Sequence, residues 1–250
     1  MALGEIVRYS DDLLNVRGIP DAPGAQNGLQ VANAGTVTRI AAAVDVCATT
    51  VSRAAAEHAD LLIVHHGLSW SRSAGQGDAY LERFSQLVRH DIALYSVHLP
   101  LDCHPELGNA AVLAKRLGLG SKAPFGVWHG QPIGVWGELD IERGALGDRL
   151  AAELGLEPKR MLFGPASARR IGIVTGAAGS LIRQAAESGL DTYITGEGNH
   201  HTYFDAEELR LNVFYGGHYA TETFGVTALA EHLSSTFGLP WVFIDHPTGL

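Results

Sequence analysis

The sequence predicts an α/β protein made of two related halves, with mostly parallel sheets sandwiched by helices. Three observations predict it. Short apolar runs alternate with helix-forming segments along the chain, a stretch of the first half resembles one in the second, and the apolar runs end in histidines and carboxylates. With 46% hydrophobic and 18% charged residues among 250, the chain can bury a sizeable core.

In chain order, residues 3–16 place Leu3, Ile6, Val7, Leu13 and Leu14 at helical spacing. Residues 18–28 carry Gly18, Pro20, Pro23, Gly24 and Gly28 and read as a loop. Residues 39–46 read as a strand and 48–59 as an Ala-rich helix capped by Thr49 or Thr50. The run LLIVHHG (61–67) is a buried strand with a polar end, and 80–90 is a helix. Residues 92–102 read as a strand leading into a loop, because Pro100 argues against an interior helical turn. A helix over 105–119 ends near Gly118. After a Gly/Pro-bearing stretch (120–134), strands at 134–140, 170–176, 191–197, 211–218 and 240–247 alternate with helices at 144–155, 181–189 and through TETFGVTALAEHLSSTF.

The repeat is carried by particular residues. AAAEHADLLIVHHG (54–67) and QAAESGLDTYITGE (184–197) align with Ala55 on Ala185, Glu57 on Glu187 and Val64 on Ile194. Each is a helix feeding a strand whose end turns polar. The next strand of each half ends alike, in His98-x-x-x-Asp102 and in His218-x-x-x-Glu222. This divides the chain into repeats over 1–125 and 126–250, with a site formed where the strand ends of the two come together.

Composition excludes several classes. The net charge of −9 and the lack of a Lys/Arg cluster argue against gripping a nucleic-acid backbone, and Arg169 and Arg170 read as solvated. Cys47 and Cys103 read as reduced thiols of a cytoplasmic protein, too few for a disulfide scaffold. The N-terminus, with Glu5, Asp11 and Asp12, is neither a signal peptide nor a membrane span.

The chemistry lies in the histidines. His65 and His66 follow four apolar residues, and neighbours in a strand point to opposite faces, so both serve one site only where the strand ends and the chain turns at Gly67. His218 and Glu222 share a face if a helix begins near residue 218. Imidazoles and carboxylates without thiolates favour Zn, Fe, Mn, Co or Ni. Five ligands, His65, His66, Asp102, His218 and Glu222, shared by two divalent ions leave positions open for water, the arrangement used for ester and amide hydrolysis. The other histidines have plainer readings. His58, His90, His129, His232 and His246 are ordinary hydrogen-bonded side chains, His104 starts a helix, and His200 and His201 either line the pocket or are solvated. Cys103 reads as a small buried residue and not a nucleophile. Gly216-Gly217 lacks the rest of a phosphate loop, and Ser69, Ser71 and Ser73 lack a nucleophile elbow.

Taken together, NGLQV (27–31), LLIVHHGLSW (61–70), LYSVHLPLDCHPELGNA (94–110), YITGE (193–197) and GGHYATETFGV (216–226) resemble motifs of the Nif-three-like family. These are dinuclear-metal-centre proteins often labelled GTP cyclohydrolase one type two homologues, and the resemblance covers most of the chain. It implies two intertwined α/β repeats with mixed sheets and carries the family's ligands to His65, His66, Asp102, His218 and Glu222. It places His98 close to the metals, behind the ligands or as a weak one. It also implies a toroidal homohexamer whose sites face an inner cavity, in the short bacterial form without an inserted domain. The expected function is a dinuclear metal-dependent hydrolase of a small substrate, a nucleotide being one candidate. The alternative is a non-catalytic metal-handling protein or oligomeric adaptor.

Overall fold

In a computed structural model of the chain, residues 1–22, 24–70 and 77–250 are described, with 121 and 122 described by backbone alone. The expectations for Pro23, Ser71 and Ser73 lie outside the described residues. The elements run α1 (Leu3–Leu13), β1 (Gly28–Val31), β2 (Ile40–Asp45), α2 (Ala48–Ala56), β3 (Leu61–His66), α3 (Gly77–Arg89), β4 (Ala93–Ser96), α4 (Leu99–Asp102) and α5 (Asn109–Arg116). They continue with β5 (Gly120–Trp128), β6 (Gln131–Glu142), α6 (Arg143–Leu154), β7 (Lys159–Leu162), β8 (Ser167–Ile173), a short 3-10 turn, α7 (Ile182–Glu187), β9 (Thr192–Thr195), α8 (Thr202–Glu208), β10 (Asn212–Tyr215), α9 (His218–Thr221), α10 (Thr223–Phe237) and β11 (Trp241–Phe243).

The chain forms two compact units. Met1–His104 and Gly225–His246 make the first, and Pro105–Phe224 with Pro247–Leu250 makes the second. The first holds a five-stranded sheet ordered β1-β4-β3-β2-β11, the second a six-stranded sheet ordered β5-β6-β8-β9-β10-β7. Both sheets share a motif, three parallel strands (β2-β3-β4 and β8-β9-β10) with an antiparallel edge strand, β1 on β4 and β7 on β10. The chain does not finish one unit before starting the other, since α5 follows the first unit's strands yet belongs to the second, and β11 returns to pair with β2.

Strand alternation fills the cores. In the first unit, Leu62 and Val64 of β3 pack with Val51 and Ala54 of α2 and Leu87 of α3. In the second unit, Tyr193 and Val213 turn to one side, with Ile182 and Ala206, while their neighbours Ile194 and Phe214 turn to the other, with Leu113, Leu146 and Leu150. Successive strand residues point to opposite faces, so a sheet covered on both sides needs apolar residues at consecutive positions.

Three local expectations are corrected. Residues 120–134, a Gly/Pro-bearing stretch to which the sequence assigns no element, are β5, the turn and the start of β6, a hairpin closed by His129 and Gly130 at φ 46 and 81. Two successive positive φ values make the tight turn that matches strand twist. Among the described residues both sheets are mixed, but this hairpin and β7 give the second sheet three antiparallel pairings against two parallel, where the first has three parallel against one antiparallel, so the expected mostly parallel order holds only in the first. Pro100 does not prevent a helical turn, because it sits in the first turn of α4, where a missing N–H costs nothing. The cap of α2 is Cys47, whose Sγ accepts from Thr50 N while Thr50 Oγ1 accepts from Cys47 N. Strands β1 and β7 and helix α8 are short elements that periodicity alone does not mark.

Candidate metal centre

In the first unit, β3 delivers His65 and His66, both buried. Their rings lie 4.9 Å apart, and that of His98 lies 4.8 Å from His65 and 5.7 Å from His66. The three offer ligand atoms within 4.8 Å of one another. Asp102, last residue of α4, brings Oδ2 to 3.5 Å from His65 Nε2. Gly67 is needed for space and not for a left-handed φ, because a Cβ there would come within 2.3 Å of Gln30 and 2.6 Å of Ser96 Oγ.

Each of these imidazoles is anchored through Nδ1. His65 Nδ1–H donates to the Val97 carbonyl at 3.0 Å, His66 Nδ1–H to Asp45 Oδ1 at 2.9 Å, and His98 Nδ1–H to Asp21 Oδ1 at 2.8 Å. A neutral imidazole that donates from Nδ1 carries its lone pair on Nε2, so the anchors fix both tautomer and ring direction. Asp21 also accepts from Leu99 N at the start of α4 and from Asn27 Nδ2, while Asn27 Oδ1 accepts from His98 N. Burial would raise the Asp21 carboxyl, but the His98 hydrogen bond and charge, with Asn27 and Ala22, hold it below the usual carboxylate range. The indole of Trp70 stacks on His66 at 4.5 Å and leans on His98 at 4.3 Å.

The second unit has a smaller cluster. His218 opens α9 and Glu222 follows its last residue. Glu197, just past β9, takes the Nδ1–H of His218 at 2.6 Å, and His218 Nε2 stands 3.1 Å from Glu222 Oε2. Burial opposes charge on His218, but the hydrogen bonds and charges of Glu222 and Glu197 outweigh it and raise its pKa to about 9. Gly176, at φ 66, makes room, because a Cβ would fall 2.2 Å from Glu222 Oε1.

The structure thus gathers His65, His66, His98 and Asp102 in one unit and His218 and Glu222 in the other. Cys103 is half-buried and not fully buried as expected; partial burial, aided by the charges of Asp102 and Asp21, pushes its thiol up to about 12, which fits an inert residue. Sequence reasoning missed Asp45, Glu197 and Asp21 as imidazole anchors, and Trp70 as their cover. Asp45 and Glu197 carried a signal, a carboxylate at the end of a strand beside one that ends in histidine. Asp21 lies in a loop far along the chain from His98 and gave none. The NGLQV motif gains a physical role, with Asn27 holding His98 and Gln30 Oε1 accepting from Leu68 N beside the two histidines.

Fold and side-chain chemistry together define an α/β protein with imidazole and carboxylate clusters of metal-ligand type at its strand ends. The chain belongs to the Duf34/NIF3 (NGG1p interacting factor 3) family, whose model matches residues 1–249. It is 41% identical to a Deinococcus radiodurans protein named GTP cyclohydrolase 1 type 2 homolog, covering 98% of this chain and 94% of that one. A Pyrococcus horikoshii protein of the same name is 43% identical, with 98% of each chain covered. The crystal structure of TTHA1606 from Thermus thermophilus matches with a TM-score of 0.92 and 39% identity over the whole of both chains. Among the described residues, no helix is long and apolar enough to cross a membrane.

Proposed function

We propose that the chain is a dinuclear metal-dependent hydrolase of a small substrate, in which His65, His66, Asp102, His218 and Glu222 hold two divalent ions of the Zn, Fe, Mn, Co or Ni group, with His98 beside them. One observation carries the reading. His65, His66, His98 and His218 are each anchored at Nδ1 by a carbonyl or carboxylate, the arrangement that orients imidazole for a metal. The donor set fits the group, with nitrogen and oxygen of intermediate softness and no thiolate.

Bound ions of this kind supply Lewis acidity and lower the pKa of water toward neutrality. The chain's own residues do the rest. Asp45 and Asp21 keep His66 and His98 in one tautomer, Trp70 covers both rings, and Glu197 with Glu222 holds His218 in place. The family relationship further supports a homohexamer, to be read from the mass of the assembly in solution.

The test is metal analysis of protein purified without chelators, followed by turnover across nucleotides, phosphodiesters and cyclic amides. Two ions per chain, with turnover abolished by chelator and by Asp102→Ala, is the expected result. Metal bound without turnover, exchanging freely with a chelator, favours the metal-handling alternative.

A further inference from the structure

A cavity of about 340 Å³ opens in the second unit, against the segment that anchors His218. Its wall includes Lys159 and Met161 of β7, Tyr215 of β10, His200 in the turn before α8, and Tyr203 and Phe204 at the start of α8. Lys159 lies directly opposite Tyr215 in the antiparallel pair, and Met161 lies on the same strand face as Lys159. Tyr203 and Phe204 are 42% and 48% exposed, more than a helix built only for packing would leave. The Phe204 ring meets His200 and Tyr203 edge to face, at 5.6 Å in both cases.

Two hydroxyls meet in the wall. Tyr215 Oη and Thr202 Oγ1 lie 2.5 Å apart, and Thr202 is buried. Gly198 gives the tyrosine hydroxyl its space, because a Cβ there would fall 2.2 Å from that oxygen. Gly198 directly follows Glu197, the carboxylate that takes the Nδ1–H of His218. The cavity is therefore one residue along the chain from the metal-centre cluster of this unit, and nothing in the proposed ligand set uses it.

We infer that this cavity binds a planar heteroaromatic ring bearing an anionic group, of the nucleoside monophosphate class. The aromatic rings of Phe204, Tyr203 and His200 offer faces and edges to the planar ring. The Lys159 ammonium, flexible and compact, meets the anion. The size falls within the range of small-molecule pockets. As a substrate subsite the cavity rests on the hydrolase reading; as a binding site it stands apart from it.

The test titrates the chelator-treated full chain with 2-aminopurine riboside monophosphate and with the corresponding nucleoside, read by 2-aminopurine fluorescence. Saturable quenching is expected without metal. Phe204→Ala and Tyr203→Ala, both at exposed positions, should each weaken binding of both probes by about tenfold. Lys159→Ala should weaken the monophosphate alone. Absence of saturable binding to the wild-type chain, or variants that bind as tightly as wild type, overturns the inference. So does a change in assembly mass for Phe204→Ala with affinity unaltered, which would make these rings an interface between copies. Binding that responds as expected in a chain found to hold no metal keeps the cavity and removes the hydrolase reading.

Discussion

Glu197 Oε1 stands 2.6 Å from Nδ1 of His218, whose Nε2 in turn faces Glu222 at 3.1 Å. The imidazole is clasped between two carboxylates, one that aims it and one that shares its outward side. Removing the aiming group should leave the fold intact and loosen the metal. For Glu197→Gln we expect metal affinity to fall about 10- to 100-fold, measured by competition with a chelator of known strength. An unchanged affinity would reduce Glu197 to a surface charge.

The same clasp predicts a pH dependence. His218 has its pKa raised from 6.5 to about 9 by its two carboxylates against the cost of burial. In the metal-free chain its stabilising contribution is complete below the unfolded value and disappears as pH rises through about 9. Metal must displace that proton, so apparent affinity should climb about tenfold per pH unit up to that range. Chelated protein should therefore melt at lower temperature at pH 10 than at pH 7. Calorimetry and metal titration across pH check both halves, and a plateau in affinity from pH 7 would contradict them.

Asp21 ties together His98, Asn27 and the first turn of α4. Asp21→Ala removes a charged acceptor from a buried N–H and should cost about 2 kcal/mol in denaturant unfolding. Its carboxyl is held below the usual value, so its contribution is present above the unfolded pKa of 3.8 and is lost as pH falls through the lower folded value. Wild type and variant should converge in stability in strong acid, and a constant gap between them would count against this linkage.

Gly176→Ala should strain a left-handed backbone and push the Glu222 carboxylate from its seat. We expect a destabilisation of about 1 kcal/mol or more, with metal affinity falling at least as far as for Glu197→Gln. Normal affinity in a folded variant would show that Glu222 tolerates displacement.

Cys103 should react slowly with iodoacetamide at pH 8, since burial and two nearby carboxylates keep its thiol protonated. Cys103→Ala should leave turnover intact, and rapid alkylation that abolishes turnover would reopen the nucleophile reading.

By itself, the sequence determined the α/β class, the repeat and the metal-ligand candidates. Those signals are local: four apolar residues before His65-His66, and a histidine four places before a carboxylate at Asp102 and again at Glu222. Hydrophobic period and short spacing survive in a one-dimensional string. Tertiary structure decided what those signals do not encode. It showed that Pro100 lies in a first turn, that β11 returns to β2 across the chain, and that Asp21, Asp45 and Glu197 hold the imidazoles. The physical reason is that an imidazole needs an acceptor at one fixed distance and direction. Residues far apart in the chain meet that demand only after sheets and helices have packed, and no spacing rule records which of them will arrive.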